Sequence, residues 1–73
     1  MMTRNYIWVN SDRSEMLCTL SHEQVVELFR DLYHYVSLGK TPEAFSAPEV
    51  EKAYEVMLKD DAEMSKGVGL WRN

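Results

Sequence analysis

Glu27, Asp31 and His34 stand at i, i+4 and i+7 of a helical stretch, so their heads share one face on which a divalent ion could rest. Metal sites usually draw ligands from more than one element, and Arg30 sits among these groups, so a solvated charged face is the preferred interpretation. Weak divalent-metal binding is kept as a second alternative, and no residue is assigned as a metal ligand. One cysteine and two histidines twelve positions apart give no zinc spacing. His22 falls in the first turn of a helix and is expected to be exposed. Cys18 lies between Leu17 and Thr19 in a predicted strand, without the helix N-terminus or cation that would activate a thiol, and is expected to be buried and inert. Glycines at 39, 67 and 69 form no phosphate loop, and no nucleophile elbow or serine triad spacing is present. These residues give no catalytic site and call for no cofactor.

The aromatic residues offer more. Eight of them in 73 residues, among them Tyr6, Trp8 and Trp71, exceed what one small core needs. If Ile7 and Val9 form the inner face of a strand, Tyr6 and Trp8 emerge on the other, joined by Trp71, as anchors for a protein partner. With the strand turned over, the tryptophans are core instead. A stacking platform for single-stranded RNA would need surrounding cations, and only Arg4, Arg13 and Arg72 are near.

The net charge of −4 is unevenly spread. Residues 43–63 hold seven acids against Lys52 and Lys59, a balance of −5, which leaves +1 for the remainder. That excess disfavours phosphate backbones and anionic lipid. Glu51 and Glu55 on the second helix are candidate contacts to a basic partner. An array of such carboxylates suits an inhibitor of a DNA-binding protein, of phage or mobile-element type, acting by charge mimicry. Interspersed lysines favour an ordinary solvated face.

These residues must be carried by a few elements. The plainest is a helix over residues 21–38. Ser21 and Gln24 make a capping box, Leu20 and Val25 a hydrophobic staple, and Gly39 followed by Pro42 ends it. Val25, Leu28, Phe29, Leu32, Tyr35 and Val36, flanked by Val26 and Tyr33, cover roughly half its circumference, enough to contact two neighbours. Upstream, residues 4–9 and Met16–Leu20 have strand character, separated by the turn formers of residues 10–14, and predict a β-hairpin. Downstream, one helical turn carries Phe45 inward. Ser46 and Glu49 then repeat the capping box, with Phe45 and Val50 as its staple, before a second helix from Ala47 to about Ser65. Its inner face holds Val50, Ala53, Tyr54, Met57 and Met64, with Leu58 at the edge. Glu55 and Lys59 are spaced for an ion pair on the outer side. Asp61 falls in the apolar arc, so the helix either stops near Lys59 or continues to a stop at Lys66 and Gly67. Val68–Arg72 either adds a third strand or tucks in Trp71; the strand is preferred, because a two-stranded ribbon is marginal alone.

Seventy-three residues make a single small domain, 1–73, whose thin core dimerisation would reinforce. The expected fold is α+β: an N-terminal β-hairpin packed on two antiparallel helices, ββαα, with a short C-terminal third strand. A lone cysteine and the absence of a long apolar run predict a cytoplasmic protein with no membrane association. The expected function is that of a non-enzymatic protein–protein interaction module, homodimeric or bound to a protein partner of unknown identity. No direct nucleic acid binding is expected.

Overall fold

The computed structural model describes the backbone of residues 4–71 and the side chains of residues 4–66. An irregular segment, residues 4–10, leads into a 3₁₀ turn at Ser11–Arg13, which runs on into a short helix, α1 (Ser14–Cys18). Two longer helices follow, α2 (His22–Leu38) and α3 (Pro48–Trp71). There is no strand among the described residues, so the expected α+β hairpin fold is replaced by an all-helical one.

Both halves of the expected hairpin fail for identifiable reasons. Residues 10–14 do contain turn formers, but they start a helix: the Asn10 side chain accepts from the Asp12 N–H at 2.9 Å and caps the 3₁₀ turn. In the stretch that follows, the adjacent Met16 and Leu17 both face the core while Cys18 and Thr19 are both exposed. That grouping in pairs is a helical pattern and not a strand alternation. Cys18 is therefore exposed on α1 and not buried in a strand. Residues 4–10 pair with no strand either; the Arg4 N–H and guanidinium and the Trp8 N–H go to Val36 of α2 and Asp61 of α3 instead.

The helix α2 begins and ends where its sequence signals lie. Ser21 Oγ accepts from the Gln24 N–H at 3.1 Å, and Gln24 Oε1 accepts from the Ser21 N–H at 2.9 Å. Gly39 takes the left-handed conformation at φ 72°, and its N–H closes onto the Tyr35 carbonyl. Leu28, Leu32 and Val36 are buried, with Phe29 packed at the edge of the core. The buried stripe is narrower than expected, since Val26, Tyr33 and Tyr35 are all exposed.

The core joins Leu28 and Leu32 to Val50, Ala53, Tyr54 and Met57 of α3, with Ile7, Met16, Leu17, Leu20, Phe45 and Leu58 around them. The two helices are not antiparallel. At one end Gln24 donates to Glu49; at the other, Arg4 bonds both the Val36 carbonyl and Asp61. Gln24 to Val36 and Glu49 to Asp61 are equal steps along their helices, about 18 Å at 1.5 Å per residue. The helices therefore run side by side in the same direction. Residues 39–47 carry the chain back along α2; nine residues can span about 30 Å, more than the roughly 25 Å of that helix. No helical turn forms on the way, but Phe45 does point inward, packing against Tyr54 with ring centroids 5.2 Å apart and planes tilted by 56°.

The return loop is fastened to α2 by the groups expected to cap α3. The N–H and hydroxyl of Ser46 both donate to Glu27, and Glu49 accepts from Gln24. The helix α3 then runs without interruption past Asp61 and past Gly67 to Trp71. Its helical backbone over residues 68–71 overturns the expected third strand; Arg72 and the side chain of Trp71 lie outside the described residues. Glu55 and Lys59 form no ion pair.

Candidate interaction surface

Asp61 is only 3% exposed, on the apolar face of α3 one turn beyond Met57. A carboxylate buried there without partners would be strongly unfavourable. It accepts from Arg4 Nη1 at 2.9 Å, from Arg4 Nη2, and from the backbone N–H of Trp8 at 2.9 Å. The preceding residue, Asp60, holds Arg13 through Nε at 2.6 Å and Nη2 at 3.1 Å. Consecutive carboxylates thus fix the two ends of the stretch that crosses α3, residues 4–13. The Arg13 guanidinium holds the Asp60 carboxyl below its ordinary range, and each arginine is made harder to deprotonate by its carboxylate.

On the outer side of this segment Tyr6 is 54% exposed and Val9 is 40% exposed. Tyr6 nevertheless has a fixed setting. The Arg4 guanidinium lies 5.4 Å from its ring centroid, and Trp8 meets it edge to face at 6.0 Å. Trp8 itself is half-buried and Ile7 packs on the core. The structure thus brings Tyr6 and Trp8 together, on an anchored segment and not on a sheet.

The other predicted contacts are separate from these. Glu51 and Glu55 are exposed on the outer side of α3, with no ion pair to either among the described residues. The acidic stretch is less available than its composition implies, because Asp60 and Asp61 are spent on arginines and Glu49 on Gln24.

Glu27, Asp31 and His34 do not converge. Glu27 is engaged by Ser46, which holds its carboxyl below the ordinary range. Asp31 is buried, its closest cation the neighbouring Arg30 at 3.7 Å, and His34 is exposed. Among the described residues no three His, Cys, Asp or Glu side chains are placed to share a metal ion. Asp31, His34 and Lys40 instead line a shallow open recess of about 130 Å³ between α2 and the return loop, with Thr41 and Pro42.

The residues that sequence reasoning missed are Arg4, Arg13, Asp60 and Asp61. The one available signal was Asp61 itself, a carboxylate in an apolar arc, which implies a cationic partner as readily as it implies a helix end. No helix among the described residues is long and apolar enough to cross a membrane. No protein family, curated protein or solved structure matches this chain.

Proposed function

We propose that this chain is a small non-enzymatic protein-interaction module whose docking surface is the outer side of residues 4–10, with Tyr6 as its anchor. One observation carries the proposal: Tyr6 is exposed by more than half, yet held between Arg4 and Trp8, both tied to Asp61. An aromatic ring already ordered in the free protein gives up little freedom on binding, which is what an interface hot spot requires. The lone Cys18, unable to form an internal disulfide, supports a cytoplasmic setting.

The test is quantitative capture from the native host with tagged wild type, Tyr6→Ala and Glu51→Lys/Glu55→Lys proteins, each first shown to be helical by circular dichroism. The expected result is a partner recovered with wild type and the glutamate variant, and reduced at least about tenfold with Tyr6→Ala. Equal recovery with Tyr6→Ala overturns the assignment. Loss confined to the glutamate variant transfers it to the outer face of α3.

A further inference from the structure

The recess where α2 ends is lined by opposite charges that do not meet. Asp31 is only 8% exposed, yet it accepts no hydrogen bond among the described residues; its closest cation is the adjoining Arg30, at 3.7 Å. The carboxylates that reach across the fold each have a donor: Glu27 has Ser46, Glu49 has Gln24, Asp60 has Arg13 and Asp61 has Arg4. The Tyr54 hydroxyl, whose ionisation is raised by burial and then by the charge of Asp31, bonds to no described group. A buried carboxylate without a donor is unfavourable. This one opens onto the recess of about 130 Å³ that it lines with His34, Lys40, Thr41 and Pro42.

The stop of α2 puts the opposite charge on the same recess. Beyond Gly39 the chain turns so that the Lys40 N–H donates to the His34 carbonyl at 3.3 Å. Lys40 is thereby held near His34, and it forms no ion pair among the described residues. A simple cation drawn to Asp31 is opposed by Lys40, and a simple anion drawn to Lys40 is opposed by Asp31. A metal ion would find only Asp31 and His34 as side-chain ligands of the usual kinds, with an ammonium beside them. We propose that the recess binds a small zwitterion, its ammonium on Asp31 and its carboxylate on Lys40, with the His34 ring as a further donor to that carboxylate. The chemistry is that of a free amino acid with a short carbon frame, and a recess of about 130 Å³ has room for such a ligand of few heavy atoms. The inference does not rest on the Tyr6 surface, which belongs to residues 4–10.

Titration of the isotope-labelled full chain, followed by its amide NMR signals, tests this. Glycine, β-alanine and γ-aminobutyrate set the two charges progressively further apart, while ethylammonium and acetate carry one each. The expected result is that at least one of the zwitterions shifts the signals of residues 31–41 saturably at millimolar concentration. It should bind at least about tenfold more tightly than either single ion. Asp31→Asn, which keeps the shape and removes the charge, and Lys40→Gln, at an exposed position, should each weaken it at least about tenfold while circular dichroism stays helical. Failure of all the zwitterions to saturate overturns the proposal. So does equal binding of ethylammonium or acetate, or full affinity in either variant. Should Asp31→Asn not fold, the comparison with single ions and the Lys40→Gln variant decide.

Discussion

Arg4 and Asp61, 57 positions apart, meet through two parallel guanidinium–carboxylate hydrogen bonds on the apolar face of α3. Removing one member of such a pair leaves the other desolvated, which costs far more than the pair gains as a whole. Asp61→Met is therefore expected to lower the unfolding free energy by about 3 kcal/mol, the low end of the usual range because Arg4 keeps some access to water. Arg4→Met/Asp61→Met should recover a large part of that loss. Urea denaturation of the two variants checks both statements, and a single-variant cost below about 1 kcal/mol would contradict the assignment.

The shared direction of α2 and α3 is measurable without reference to stability. His22 and Glu51 are exposed near the starts of their helices and accept spin labels. Parallel helices put the labelled sites side by side, at a distance set by the packing of the pair. An antiparallel pair would add most of the roughly 25 Å length of α2 between them. Pulsed dipolar spectroscopy distinguishes the two directly.

Tyr54 is buried, and its hydroxyl makes no hydrogen bond among the described residues. Burial, and secondarily the charge of Asp31, pushes its ionisation above the ordinary value of 10.0. Deleting a buried polar atom that has no partner removes a desolvation cost while keeping the ring that packs against Phe45. Tyr54→Phe should leave stability unchanged or raise it by about 1 kcal/mol. A fall in melting temperature would show that the hydroxyl has a partner after all.

Acid should weaken the fold through Glu27 and Asp60. Both carboxyls are held below their ordinary values, 4.5 and 3.8, by hydrogen bonds from Ser46 and Arg13 respectively. A depressed native value means that the unfolded chain binds protons first as pH falls. The stabilisation is therefore full above those ordinary values and disappears as pH drops through the lowered ones. Unfolding free energy measured against pH should be flat near neutrality and decline below about pH 4.5. Ser46→Ala, which removes the hydroxyl donor to Glu27, should be less stable at neutral pH and show a shallower acid decline.

Gly39 holds a left-handed conformation that places its N–H on the Tyr35 carbonyl. A Cβ at that position meets the following carbonyl, at a cost of about 1–2 kcal/mol. Gly39→Ala should show that loss in thermal unfolding, while Gly39→Asn, which tolerates the conformation better, should lose less.

Local chemistry alone decided α2, its capping box, its stop and its buried leucines, because each of those signals acts within a few residues of chain. The inner face of α3 was legible for the same reason. What local pattern left open was decided by contacts across the fold. Asn10–Ser14 suits a turn or a helix start equally, and the inward placement of both Met16 and Leu17 made it a helix. Asp61 reads as a helix end until Arg4 arrives from the far end of the chain to neutralise it, and with that pair formed α3 continues. The nine-residue link permits either helix direction; Arg4, bonded to Val36 and to the buried Asp61 at once, selected the parallel one, since a desolvated carboxylate accepts only an arrangement that supplies partners to it.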